Sequence, residues 1–115
     1  MSGTRTAGLV AVCRLDDIGR ESGVAALVHG VPVAVFRTHD DEVLALSDWD
    51  PFGRAAVLSR GIIGTRGERT FVASPLHKQA FDLRTGVCLD DEDVRVPTYP
   101  VVVEDGIVLV GGATE

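Results

Sequence analysis

The sequence of 115 residues has little of several features that would restrict its location or its chemistry. It contains two cysteines, Cys13 and Cys88, which are far apart and outside any metal-binding pair, so we expect two buried free thiols. No apolar run approaches the roughly 20 residues that a membrane span needs. The N-terminal apolar run is too short for a secretory signal. These absences predict a cytoplasmic protein.

Positive charge is also scarce. The chain has 11 Lys and Arg against 17 Asp and Glu, which gives a formal net charge of −6 and a pI of about 4.9. Nucleic acids and anionic membranes attract basic proteins, so this balance argues against both as partners. It is compatible with a protein or a small molecule.

The common catalytic motifs are missing. The sequence has no G-x-S-x-G, Walker loop, dinucleotide fingerprint or HExxH. His29 and His39 lie at predicted turns without a neighbouring nucleophile, and we expect both to face solvent. We therefore predict no catalytic residue on this chain.

What the sequence does contain is a series of short apolar, β-branched runs separated by turn residues. Hydrophobic residues make up 45% of the chain and charged residues 24%, which is typical of one globular domain, here residues 1–115. No helical periodicity is sustained. The spacing predicts an all-β fold, a small antiparallel β-sandwich or barrel of six to ten strands. The predicted strands are Gly23–Gly30, Val31–Thr38, Val43–Asp48, Thr70–Ser74, Tyr99–Glu104 and Ile107–Val110.

Local patterns refine this prediction. In the second run, Val33 and Val35 share one face and Ala34 and Phe36 the other, so we expect this strand to be covered on both sides. Turns are predicted at residues 39–42, 65–69 and 105–106. A positive φ is predicted at Gly86.

The stretch SPLHKQAFDLRTG, residues 74–86, resembles the second half of a Rieske iron–sulfur motif. Rieske domains hold two irons with two cysteines and two histidines from two loops, which read C-x-H and C-x-x-H. Aligned on this motif, the first loop has Asp50 at the cysteine position and Phe52 at the histidine position. The second loop has Ser74 and His77. A proline follows each cysteine position, so the resemblance extends to both loops.

The donor set at these four positions is wrong for a Rieske cluster. Thiolates bind iron because they are soft, anionic donors, whereas a serine hydroxyl is a poor donor at neutral pH and phenylalanine has no lone pair. We therefore expect no cluster and no metal on this chain. Asp48 and Asp50 are expected to be solvated turn residues, and an adventitious Asp/His metal site is the alternative.

The apolar residues of these loops suggest a binding surface, because exposed apolar groups bind something or promote aggregation. Tryptophan is also common among interface anchors. The alternative is that Trp49 and Phe52 turn inward and fill the space of the missing cluster. His77 is either a loop residue bonded to backbone, a docking contact, or a lone metal ligand or proton-transfer group. The hypothetical partner-binding residues are Trp49, Phe52, Arg54, Leu76, His77 and Lys78, with Arg60 as a further rim residue.

Four motifs carry a more specific family resemblance. DPF at residues 50–52, VLSRG at 57–61, SPLHKQAF at 74–81 and GVCLDDE at 86–92 resemble the small subunit of NAD(P)H-dependent assimilatory nitrite reductase. The resemblance implies a Rieske-like fold without a cluster, and a large catalytic subunit as partner. That large subunit would carry siroheme, FAD and an iron–sulfur cluster and reduce nitrite to ammonia. Two other functions stay open: a Rieske-type electron-transfer ferredoxin of an oxygenase, and a free-standing β interaction module.

Overall fold

Strands account for nearly all regular structure in residues 8–112, the part of the chain that the computed structural model describes. Two short 3₁₀ turns, Leu15–Asp17 and Leu58–Arg60, are the helical segments in this range. Neither is long enough to cross a membrane. The strands are β1 (Val10–Arg14), β2 (Ser22–Val28), β3 (Val31–Arg37), β4 (Val43–Ser47), β5 (Trp49–Asp50), β6 (Ala55–Ala56), β7 (Ile62–Arg66), β8 (Arg69–Ala73), β9 (Ala80–Asp82), β10 (Thr98–Tyr99), β11 (Val101–Glu104) and β12 (Ile107–Val110).

The strands form small antiparallel sheets, which confirms the predicted all-β class. One sheet has the order β10–β4–β3–β2, a second β1–β12–β11 and a third β7–β8–β9, while β5 and β6 form a short two-stranded ribbon. In the first sheet Val35 pairs with Val24 on one side and with Ala45 on the other. Most sheet neighbours are also neighbours in sequence, as short hairpin connections require.

Strand β3 separates two hydrophobic clusters, because successive side chains of a strand point to opposite faces. Ala34 and Phe36 belong to the first cluster, and Val33 and Val35 to the second; all four are fully buried. This confirms the expectation of a strand covered on both sides. The first cluster comprises Ala34, Phe36, Leu46, Leu58, Val72, Phe81, Leu83, Cys88 and Val96. The second comprises Ile18, Val28, Val33, Val35, Ala45, Tyr99, Val108 and Val110.

Two predicted turns are confirmed in detail. Asp105 and Gly106 have φ of 54° and 77°, the left-handed values that a two-residue hairpin turn favours. Gly86 has φ of 78°, and a Cβ at this position would lie 2.1 Å from the carbonyl oxygen of Val96. Only glycine fits there.

Residues 8–112 contain twelve strands, more than the six to ten predicted, because β1, β5, β6, β7 and β9 were not recognised in the sequence. The other predicted bounds are within two residues of those observed, and two differences are instructive. Residues 65 and 66 belong to β7, so the turn is confined to Gly67 and Glu68. Strand β7 was not predicted because Gly64 interrupts its apolar pattern. In the structure, the ring of Phe71 on the paired strand β8 covers Gly64. The strand predicted over Tyr99–Glu104 is divided at Pro100, where the chain passes from pairing with β4 to pairing with β12.

Candidate functional site

Two loops extend from different sheets and meet. The first loop, residues 49–54, follows β4 and contains β5 and the turn toward β6; the second loop, residues 74–79, connects β8 to β9. The side chains of Asp50 and Ser74 form a hydrogen bond between the loops. These two loops are called the two-loop tip below.

Asp50 organises the first loop. Its Oδ1 accepts a hydrogen bond of 2.8 Å from the backbone N–H of Phe52. Its backbone carbonyl accepts another, of 2.6 Å, from the N–H of Arg54, which has a left-handed φ of 58°. Aspartate favours such turns because its side chain can accept from the backbone two residues on.

Ser74 organises the second loop in the same way. Its Oγ accepts a hydrogen bond of 3.2 Å from the N–H of Leu76, and its carbonyl accepts one of 3.0 Å from the N–H of Lys78. Lys78 has a left-handed φ of 65°, like Arg54. Both loops therefore repeat one hydrogen-bond pattern, which supports the alignment of Asp50 with Ser74 at equivalent positions.

The Asp50–Ser74 pair is buried between the loops. The hydroxyl of Ser74 donates to Oδ2 of Asp50, and the two residues are 1% and 0% exposed. Gly53 lies against the pair, since a Cβ there would be 2.9 Å from Oδ2 of Asp50 and 2.5 Å from Cδ1 of Leu76. A direct protein–protein hydrogen bond thus joins the loops at the positions that align with the two cysteines.

The expectation that Asp48 and Asp50 are solvated turn residues is wrong. Asp48 is 3% exposed, and its Oδ1 accepts a 2.6 Å hydrogen bond from the N–H of Ser59. Its backbone carbonyl accepts from the N–H of Leu58. Buried carboxylates are tolerated where such donors satisfy them. The sequence gives residue types but not these long-range donors.

The two aromatic residues of the first loop separate. Phe52 is half-buried against the first cluster, with its ring centroid 6.1 Å from that of Phe81. Trp49 is 47% exposed. Phe52 therefore turns inward, as the alternative prediction had it for both aromatic residues, whereas Trp49 remains at the surface.

The other proposed partner-binding residues lie at the surface. Leu76 is 49% exposed, and Arg54, His77 and Lys78 are exposed. Within residues 8–112 these three basic side chains form no hydrogen bond or ion pair. His77 therefore lacks the backbone partner that its first interpretation required.

The remaining histidines and cysteines lie away from the tip. His29 and His39 are exposed at turns, as predicted, and Nε2 of His29 lies 2.7 Å from the carbonyl oxygen of Gly8. Cys88 is buried and Cys13 half-buried, and both are free thiols. Burial, and secondarily the charge of Asp17, raise the pKa of Cys13 above its ordinary value. Its thiol is thus a weak nucleophile at neutral pH.

The four aligned positions do not fit a Rieske cluster. Asp50 and Ser74 bond to each other and to backbone, Phe52 packs inward, and His77 is the one imidazole among them. Across the described residues no group of three or more His, Cys, Asp or Glu side chains is placed to hold a metal ion. The alternative Asp/His site also fails geometrically, because both carboxylates point into the protein.

Sequence reasoning missed one exposed residue beside the tip. Ile62 is 76% exposed and pairs with Ala73, the residue before Ser74. Gly61 makes this close approach possible, since a Cβ there would lie 2.3 Å from the carbonyl oxygen of Ala73. The two consecutive isoleucines, Ile62 and Ile63, could have indicated this exposed residue. Successive side chains of a strand point to opposite faces, so one of the two can face outward.

This fold and this site define a family. A family model for the Rieske-like [2Fe-2S] domain matches residues 8–111, so the chain belongs to that family. It is also 47% identical over 102 residues to the nitrite reductase (NADH) small subunit of Salmonella typhimurium, covering 88% of this chain and 94% of the relative. The resemblance found in the sequence is confirmed.

Solved structures agree. The NMR structure of the E. coli protein NirD superposes with a TM-score of 0.84 at 44% identity, covering 92% of this chain and 97% of that one. A ferredoxin of carbazole 1,9a-dioxygenase from Nocardioides aromaticivorans gives 0.79 at 31% identity, covering 90% and 96%. The fold is therefore shared with a ferredoxin of a dioxygenase, so the fold alone does not identify the function.

One relative has a different chain organisation. The nitrite reductase [NAD(P)H] large subunit of Klebsiella oxytoca is 42% identical over 101 residues, which are 88% of this chain but 10% of that protein. A segment similar to this chain is thus part of a large subunit there.

Proposed function

We propose that this chain is a cluster-free accessory small subunit of an NAD(P)H-dependent nitrite reductase. It assembles in the cytoplasm with a large subunit that carries siroheme, FAD and an iron–sulfur cluster. The complex reduces nitrite to ammonia in nitrate assimilation. The small chain completes or stabilises the large one and carries no electron itself.

The Asp50–Ser74 pair is the observation that carries this proposal. An electron carrier needs its cluster at the tip, and thiolates are the donors that hold ferric iron. Here the two aligned side chains are an oxygen donor and acceptor that satisfy one another and the turns around them. The fold can thus be kept for assembly without electron transfer.

The Klebsiella relative supports a structural partnership. Joining two domains in one chain raises their effective concentration without adding contacts. A domain that is covalently part of the large subunit in one protein and a small subunit in others acts next to the large subunit in both arrangements. The same position is proposed for this chain.

Metal content tests the cluster-free part. We expect the purified chain to be colourless, without iron or acid-labile sulfide, and without a two-iron paramagnetic signal after reduction. An oxygenase ferredoxin of this fold, prepared in parallel, is the positive control. A bound two-iron centre would contradict the proposal and favour the ferredoxin alternative.

Assembly tests the accessory part. We expect the chain to co-purify with the siroheme–flavin reductase chain from the same genome, and nitrite reduction by cells to fall when its gene is deleted. Restoring the gene in trans should restore the activity. Unchanged nitrite reduction after deletion, together with a chain that captures no reductase, would favour the free-standing module instead.

A further inference from the structure

We propose that the two-loop tip, with the adjoining residues 60–62, is the surface that docks on an acidic patch of the large reductase chain. This inference rests on the proposed function, because it takes that chain as the partner. It departs from the sequence hypothesis in two residues. Ile62 is added to the surface, and Phe52 is removed from it.

Charge is segregated in this part of the chain. Residues 51–81 contain five Arg or Lys and a single acidic residue, Glu68, although the whole chain has a formal net charge of −6. Arg66 and Arg69 pair with Asp90 and Asp82. Arg54, Arg60 and Lys78 are exposed and, among the described residues, have no ion pair.

The buried carboxylates in and next to the tip form no ion pair with these cations among the described residues. Asp48 and Asp50 are buried, and their side-chain oxygens accept from backbone N–H groups and from Ser74. The tip therefore presents positive charge on an acidic protein. Complementary charge on a partner accelerates association and fixes orientation.

Three exposed apolar side chains belong to the same two loops and the adjoining start of β7. Trp49, Ile62 and Leu76 are 47%, 76% and 49% exposed. Apolar side chains within a rim of charge are the usual composition of a protein interface, and tryptophan is frequent among residues that dominate binding. The turn at Ser74 fixes the backbone of Leu76, and the side chain of Leu76 lies against Gly53.

The backbone at Arg54 and Lys78 is a third, independent observation. Both residues have a left-handed φ, which glycine and asparagine adopt more easily than arginine or lysine. They occupy the same position in the two loops, four residues after Asp50 and Ser74. Four other non-glycine residues of the described chain also have a positive φ, so what supports the proposal is the equivalent placement of two cations at the two loop turns.

A second copy of this chain fits the surface less well. Two tips facing each other would bring like charges together, which opposes association. A tip bound to an acidic region elsewhere on another copy would be a heterologous contact and would leave further copies free to add. Docking on an acidic patch of the large chain brings no like charges together and leaves no site open for further copies.

The experiment measures the dissociation constant between this chain and the intact large chain. We expect R54E/K78E to raise it about tenfold or more at low salt and less at about 0.5 M salt, where exposed charges are screened. R14E is a charge-reversal control for a single site, because Arg14 is an exposed cation without an ion pair among the described residues and lies outside the tip. It should change the dissociation constant by less than about twofold.

A second variant separates docking from folding. R54G/K78G removes both charges and relieves both left-handed residues, so we expect a melting temperature equal to or above that of the wild type, together with weaker binding. A structural role would instead move stability and binding in the same direction and would overturn the docking proposal.

The outcomes distinguish the two proposals. If the wild type binds and R54E/K78E binds equally tightly, the docking surface is wrong and the accessory function stands. If the wild type does not bind the large chain at all, the proposed function fails. Self-association in sedimentation experiments that R54E/K78E abolishes would assign the surface to a second copy.

Discussion

The charged residues at the two ends of strand β4 have different kinds of partners. Before β4, Asp41 accepts hydrogen bonds from Arg20 at 2.8 Å and from Arg37 at 2.9 Å, and Arg84 pairs with Glu42. After β4, the carboxylates of Asp48 and Asp50 are buried and bonded to backbone N–H groups and to Ser74. Within residues 8–112, Arg54, Arg60 and Lys78 at that end form no ion pair.

This difference separates charges that serve the fold from charges that are free for a partner. Exposed ion pairs contribute little because water and salt screen them. Buried carboxylates contribute more, because removing one leaves its donors unpaired inside the protein. We therefore expect stability to depend on the buried Asp48 and Asp50, and binding to depend on the basic residues of the tip. The substitutions below probe that division.

The largest loss of stability is expected for Asp50→Ala. The substitution leaves the Ser74 hydroxyl and the N–H of Phe52 without an acceptor in a buried position. Unsatisfied buried groups of this kind cost about 1–3 kcal/mol each, so the free energy of unfolding should fall by about 3 kcal/mol. Denaturant unfolding followed by circular dichroism measures it.

A double-mutant cycle with Ser74→Ala checks the cause. If the two side chains act as a pair, the double variant should lose less unfolding free energy than the two single variants lose together, by about 0.5–3 kcal/mol. Strict additivity would show that the Asp50–Ser74 hydrogen bond does not join the loops.

The next largest loss of stability is expected at one of the two aromatic residues of the first loop and not at the other. Phe52→Ala removes a half-buried ring that packs on Phe81. We expect the free energy of unfolding to fall by about 2 kcal/mol, less than the roughly 3–5 kcal/mol that loss of a fully buried phenylalanine costs. Trp49→Ala, the matched control, should stay within about 0.5 kcal/mol, since substitutions at the surface usually do. Equal losses at the two positions would mean that the tryptophan also packs inward in solution.

Gly53→Ala should have a somewhat smaller effect. Its new Cβ would meet Cδ1 of Leu76 and Oδ2 of Asp50, and overpacking costs about 1–3 kcal/mol. Because the side chain of Leu76 is partly exposed and can move, we expect about 1.5 kcal/mol. Gly112→Ala, where a Cβ would meet nothing within 4 Å, should be near neutral. A neutral Gly53→Ala would show that the loops are not packed together at this point.

Part of this site could be predicted from the sequence, because the positions of Asp50 and Ser74 are fixed by the motifs around them. Their burial could not. A loop aspartate is usually solvated, and the donors that satisfy Asp48 and Asp50 come from Ser59 and Ser74, 11 and 24 residues away. Such long-range partners depend on how the sheets are arranged, and a local pattern does not report that.

The fold shows the same limit. The alternation in β3 was sufficient to predict a strand covered on both faces, and the residues Asp105-Gly106 were sufficient to predict a hairpin turn. Strand β7 was missed because Gly64 depends on the ring of Phe71 from another strand. The break at Pro100 was missed because two different sheets share one apolar run.

The smallest effect is expected at the other end of β4, from Asp41→Asn. Hydrogen bonding to Arg20 and then to Arg37 lowers the pKa of Asp41 from 3.8 to about 2. A carboxyl with a lowered pKa in the folded state stabilises the protein above its unfolded-state pKa, and this contribution is lost as the pH falls. Wild type should therefore be slightly more stable than the variant at neutral pH. The difference should shrink as the pH falls from about 4 through about 2, and added salt should reduce it.

Asparagine suits this position because the backbone there is left-handed, with φ of 69°, and asparagine tolerates that conformation. Asp93→Asn, at an exposed carboxylate without an ion pair among the described residues, is the control, and its difference from wild type should not follow this pH range. Unfolding midpoints measured across the range decide the point. If the difference at Asp41 were constant with pH, its ion pairs with Arg20 and Arg37 would not form in solution. The contrast between the two ends of β4 would then rest on the tip alone.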